Sequence, residues 1–135
     1  MLYRQATTIK NEALTILLVE DEILLQDVYK LVLSTQGYTV YVAGNGREGI
    51  TLLKKHCPQV VLLDIFMPVM DGKDFLRNFD TKAFPKTKII VYSNLIDDGV
   101  EQEMRALGAH QVVLKSTMAP KDLVALIHDT AKFLQ

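Results

Sequence analysis

The chain has 135 residues, 49% apolar and 23% charged, which suits one globular domain with an ordinary core and excludes a disordered or fibrous chain. Fifteen basic residues against sixteen acidic ones leave a net charge of -1, so the overall charge gives no reason to expect a nucleic-acid or membrane-surface partner. The single cysteine, Cys57, excludes an internal disulfide, and no apolar run has the length of a membrane span or the form of a secretory leader, so the expected compartment is the reducing cytoplasm.

Residues 1–12 are polar and aperiodic and read as a flexible N-terminal extension, with one domain over 13–135. Ala13 to Val19 is a buried-strand run that stops at Glu20-Asp21-Glu22. From Ile23 the period becomes helical, with Leu24, Val28, Leu31 and Val32 expected inward and Gly37 as terminator. Tyr38 to Ala43 alternates as a strand. Asn45 with Glu48 three positions on opens a second helix, which Pro58 stops.

Val60 to Gly72 reads VVLLDIFMPVMDG: a continuous apolar run into an acid, then a loop closed by Asp71-Gly72. Such a run is a strand buried on both faces of a parallel sheet. A short helix from Lys73 to about Asp80 turns Phe75, Leu76 and Phe79 inward. Lys88 to Tyr92 is the fourth strand, ending at Ser93, with Tyr92 read as strand packing. Asp97 and Asp98 cap a helix that buries Val100, Met104 and Leu107 and ends at Gly108. Gln111 to Leu114 is the fifth strand, ending at Lys115. Pro120 starts a last helix to about Leu134, burying Leu123, Leu126, Ile127 and Leu134.

Strands alternating with helices imply an α/β, three-layer αβα sandwich on a five-stranded parallel sheet. In such a sheet the ligand site lies beyond the carboxyl ends of the strands. The residues expected there are Glu20 and Asp21, Asp64, Ser93 and Lys115. Each has an ordinary explanation alone: acids favour helix N-termini, and an aspartate caps a turn. Together they make a chemical set. Three close carboxylates repel one another, and a hard divalent cation such as Mg2+ relieves that repulsion. A carboxylate is a competent nucleophile toward phosphorus, and lysine and serine can serve the phosphoryl oxygens.

With these residues the sequence resembles the receiver domain of two-component response regulators, of the chemotaxis-type single-domain kind, from about Ala13 to the C-terminus. The resemblance rests on Glu20-Asp21, Asp64 with Met67-Pro68 and Asp71-Gly72, Ser93 and Lys115. It implies a flavodoxin-like sheet of order 2-1-3-4-5. It implies that Asp64 is the phosphoacceptor and that Asp21, Asp64, the Phe66 main-chain carbonyl and Glu20 (directly or through water) hold Mg2+. Ser93 would be the switch hydroxyl and Lys115 the phosphoryl salt-bridge partner. The implied donor is a sensor histidine kinase or a histidine phosphotransfer protein. The implied output is a partner protein or a homodimer through the fourth helix, fifth strand and fifth helix. The chain then serves as a phosphoacceptor rather than a conventional enzyme, as a stand-alone receiver or a piece of something larger.

Three positions depart from the family pattern. Val112 stands where an aromatic switch is usual, Ser116 where proline often follows the lysine, and Ser93 where threonine is commoner. A non-proline cis bond costs about 3 kcal/mol, so the bond before Ser116 is expected trans. Phe66 and Leu95 flank the family's water path, and both being apolar implies slow self-dephosphorylation. The alternatives are a phosphorylation-independent pseudo-receiver and an enzyme on the same fold. A haloacid-dehalogenase-type phosphatase needs an acid where Phe66 stands, and Glu20-Asp21-Glu22 would repel a flavodoxin's phosphate. His56, His110 and His128 have no metal-ligand spacing.

Overall fold

The computed structural model describes residues 14–132. The expected extension at 1–12 and the inward Leu134 lie outside that range. The elements run β1 (Thr15–Val19), α1 (Ile23–Thr35), β2 (Thr39–Ala43), α2 (Gly46–His56), β3 (Val60–Leu63) and α3 (Gly72–Arg77). Then come β4 (Lys88–Ser93), α4 (Asp98–Ala106), β5 (Gln111–Leu114), a 3-10 turn (Lys115–Thr117) and α5 (Pro120–Lys132). Among the described residues, no helix is long and apolar enough to cross a membrane.

All strand pairs are parallel, and the order is β2-β1-β3-β4-β5, the flavodoxin-like arrangement. The central strands β1 and β3 are Leu, Ile and Val throughout except for Thr15 at the start of β1, and all of β3 is buried. Successive side chains face opposite ways, so the sheet separates two apolar layers. Leu17, Val19, Val61, Leu63, Ile89 and Val91 meet Leu53 of α2, Phe75 and Leu76 of α3 and Met104 of α4. Ile16, Leu18, Val60, Leu62 and Ile90 meet Tyr29 and Leu33 of α1 and Leu123 and Ile127 of α5.

Helix ends follow local chemistry. Asn45, Asp71 and Asp97 each accept a backbone N–H three residues on, at 3.0, 2.9 and 2.8 Å. Glu48 returns a contact to the Gly44 N–H at 3.2 Å, one residue before the cap itself. Gly37, at φ +86, ends α1 in the left-handed region that glycine adopts most readily.

The inward face expected for α1 is corrected. Leu24, Val28 and Leu31 are exposed, at 79%, 42% and 66%. The buried residues are Tyr29 and Leu33, with Leu25 packed beside them. Apolar residues lie on nearly every side of this helix, so a 3.6-residue period fits two stripes equally well. The tertiary contact selects the one carrying the aromatic ring. Helix α3 is also shorter than expected, ending at Arg77, although Phe79 is still buried beyond it.

Candidate functional site

The switch in strand order falls between β1 and β3, with β2 on the far side of β1. Residues at the carboxyl ends of these two strands face the crevice that such a reversal opens. Val19 pairs with Leu63, and the Asp64 N–H extends the ladder by donating to the Val19 carbonyl at 3.1 Å. That register sets Glu20-Asp21 beside Asp64. One carboxylate oxygen from each of the three residues lies within 4.8 Å of the others. Ser93 pairs with Leu114, which delivers Lys115 at the next step.

The loop after β3 is folded back hard on the strand. Gly72 donates to the Ile65 carbonyl at 2.7 Å, Met70 to Pro68 at 2.8 Å, and Gly46 at the start of α2 to Met70 at 2.7 Å. A Cβ at Gly72 would collide with the Asp64 carbonyl. The loop therefore aims the acid, and glycine is the residue that lets it come close enough.

The acids are held unequally. Glu20 is wholly buried. Its Oε1 accepts from the Tyr92 hydroxyl at 2.7 Å and from Lys115 Nζ at 2.8 Å, and its Oε2 accepts from the Glu22 N–H at 3.0 Å. Asp64 is 6% exposed, and its Oδ2 accepts from Lys115 Nζ at 3.2 Å. Lys115 thus bridges two carboxylates, with its ammonium 4.7 Å from the Tyr92 ring centroid.

Burial pushes the Asp64 carboxyl up to about 6, with Lys115 opposing and the Glu20 charge reinforcing the rise. Burial also acts upward on Glu20, but bonds from Lys115, Tyr92 and the Glu22 N–H outweigh it and hold that carboxyl below its usual value. Burial alone would lower the Lys115 ammonium, yet its two carboxylate partners raise it above the ordinary value.

The donor set fits a hard divalent cation: its ligands are all oxygen, one carboxylate oxygen from each of three residues lies within 4.8 Å of the others, and two of the three carboxylates are buried. Both Glu20 oxygens already have donors from the chain, which leaves Asp21 and Asp64 the freer ligands.

The structure brings Glu20, Asp21 and Asp64 together and ties Lys115 to Glu20 and Asp64. Ser93 stands buried at its strand end, but its hydroxyl accepts from the Leu95 N–H at 3.4 Å, and no described hydrogen bond joins it to Asp64. Phe66 and Leu95 project outward at the rim, at 55% and 67% exposure. Val112 packs partly into the α2–α4 layer, and among the described residues every peptide bond, including that before Ser116, is trans.

Two contributors were not legible as site residues. Tyr92 packs in the strand as expected, but its hydroxyl also reaches Glu20, across 72 positions of sequence. Gln26 Nε2 donates to the Glu20 carbonyl at 2.6 Å. The one available signal was a tyrosine, with a hydroxyl to satisfy, immediately before the strand-end Ser93.

The family model described as response regulator receiver domain matches residues 16–128. A probable C4-dicarboxylate response regulator DctR of Bacillus subtilis (strain 168) is 36% identical over 102 residues, covering 74% of this chain and 45% of the relative. The cell cycle response regulator CtrA of Brucella ovis is 32% identical over 114 residues, covering 84% and 48%. The chain spans a little under half the length of these curated relatives. A solved receiver domain protein (CheY-like) of Methanospirillum hungatei JF-1 superposes with a TM-score of 0.84 at 25% identity, covering 91% of this chain and 97% of that one. By sequence, by fold and by the acids and lysine gathered at its sheet edge, the chain belongs to the response regulator receiver domain family.

Proposed function

We propose that this chain relays a signal by accepting a phosphoryl group from a phosphohistidine donor onto Asp64, with Mg2+ held by Asp21, Asp64 and the Phe66 main-chain carbonyl and Glu20 in support. The observation that carries this reading is a single one. A buried, strand-end aspartate shares one lysine with a second buried acid, while a third acid lies within 4.8 Å. A merely structural aspartate has no use for two further acids so close to it, because their repulsion costs stability.

One Asp64 oxygen forms the bond to phosphorus. The P–N bond to the donor imidazole breaks, and its electron pair stays on the ring nitrogen. A bound Mg2+ would neutralise phosphoryl oxygens during transfer. Lys115, already against Asp64 at 3.2 Å, supplies a fixed positive charge on the same side. Ser93, at the end of the neighbouring strand, supplies a hydroxyl once the β4–α4 loop closes. The single carboxylate charge is then replaced by about two on the phosphoryl oxygens, carried farther out, and this biases the face built from α4, β5 and α5, where an output protein or a second copy would bind. The working compartment is the cytoplasm.

Incubating the protein with acetyl phosphate or phosphoramidate and Mg2+, followed by intact mass measurement, tests this directly. The wild type gains one phosphoryl group, the gain needs Mg2+, and Asp64→Asn abolishes it. Absence of an adduct on the wild type would leave a phosphorylation-independent interaction module as the reading.

A further inference from the structure

Tyr92 is the buried polar residue of the site that the phosphoacceptor chemistry leaves without a task. It is 1% exposed, its ring meets the Tyr29 ring edge-on at 5.8 Å, and its hydroxyl donates to Glu20 Oε1 at 2.7 Å. The same oxygen takes Lys115 at 2.8 Å, and the Lys115 ammonium also sits near the Tyr92 ring. Three groups therefore share one point: a wholly buried carboxylate oxygen, a phenol and an ammonium.

A phosphoryl group on Asp64 changes the demand on that ammonium. Its new partners lie farther out than Oδ2, by the length of the bonds to phosphorus, so Lys115 is drawn away from Glu20. A buried carboxylate oxygen that loses its only donor is strongly disfavoured. Here Oε1 would keep the Tyr92 hydroxyl and Oε2 the Glu22 N–H, so neither oxygen is stranded. Resting on the phosphoacceptor reading above, we infer that Tyr92 is a positioning residue that holds Glu20 in place and thereby releases Lys115 to the phosphoryl group. Without the hydroxyl, Glu20 would depend on Lys115 alone at Oε1 and would retain it. The ordinary alternative is that Tyr92 only packs and uses the nearest acceptor.

Tyr92→Phe separates the two, because it keeps the ring, the Tyr29 contact and the ring face near Lys115. The readout is the affinity for beryllofluoride, which mimics the phosphoryl group on an aspartate, titrated at saturating Mg2+ and well below the melting temperature. Loss of one hydrogen bond to a charged group corresponds to an affinity about tenfold weaker. Leu123→Ala, which loosens the same apolar layer away from the hydroxyl, should bind as wild type does. Affinity of Tyr92→Phe within twofold of wild type, or an equal loss in Leu123→Ala, would overturn the inference. In the wild type, a slowly exchanging Tyr92 hydroxyl proton should be seen by NMR both before and after beryllofluoride. Its disappearance on binding would overturn the inference even if the variant fails to fold. A wild type that takes no beryllofluoride removes the phosphoacceptor reading and this one together; normal wild-type binding with an unchanged variant removes this one alone.

Discussion

Two buried carboxylates within one site are pushed in opposite directions, Asp64 up to about 6 and Glu20 below its usual value. Burial acts upward on both; the difference is that Glu20 has three donors and Asp64 shares one lysine. The consequence for stability has a definite sign. Below the ordinary value of 3.8, Asp64 is protonated whether folded or unfolded, and it contributes nothing. As pH rises from there through 6, the unfolded chain ionises freely while the folded chain resists. The folded state is therefore penalised progressively, up to about 3 kcal/mol above that range. Asp64→Asn removes this penalty. In metal-free buffer with chelator, the variant should gain on the wild type in melting temperature as pH rises from about 4 to 8. A difference that stays flat would mean that burial does not govern this carboxyl. The positions of Glu20, Asp64, Ser93 and Lys115 were legible because each directly follows or ends a recognisable strand. The bond from Tyr92 to Glu20 was not, because a hydroxyl's partner across the sheet leaves no trace in local pattern.

Buried parallel strands announce themselves as apolar runs, and β3 and β4 fall where such runs predict. Helix faces are less legible when a helix is apolar all round, as α1 demonstrates. The β3–α3 turn lies between these cases. Its Pro68 and Asp71-Gly72 mark a turn, yet only the folded chain reveals why glycine is needed: a side chain there meets the carbonyl of Asp64. Gly72→Ala must displace either the acid or the first turn of α3, and should cost at least about 2 kcal/mol. It should also slow phosphorylation by acetyl phosphate. Gly44→Ala is the matched control, since its added Cβ meets nothing nearer than 3.7 Å and should stay within about 0.5 kcal/mol of wild type. Equal behaviour of the two variants in thermal melts would show that the loop yields and does not aim Asp64.

The apolar residues that α1 turns outward gain meaning from their place on the molecule. Ile23 and Leu24 begin the helix immediately beyond Glu20-Asp21, and Val28 and Leu31 continue the exposed stripe along it. Phe66, Val69 and Leu95, from the loops after β3 and β4, are also exposed, at 55%, 69% and 67%. Isolated apolar side chains on a surface need no explanation, but several grouped around one site mark a contact surface. A small phosphodonor needs only the acids and Lys115. On the proposed phosphoacceptor reading, a protein donor would have to bring its histidine down to an aspartate that is 6% exposed, and would rest on the surroundings to do so. Replacing Leu24 and Leu31 together with glutamate keeps good helix formers at exposed positions, so stability should change by less than about 1 kcal/mol. Transfer from a protein donor that phosphorylates the wild type should then slow by about tenfold or more, the loss expected when interface anchors are removed. The rate with acetyl phosphate should be unchanged. Equal slowing with both donors would assign the stripe to support of the site, and no slowing with either would leave the donor docked elsewhere. The comparison works because only one of the two donors has a surface to lose.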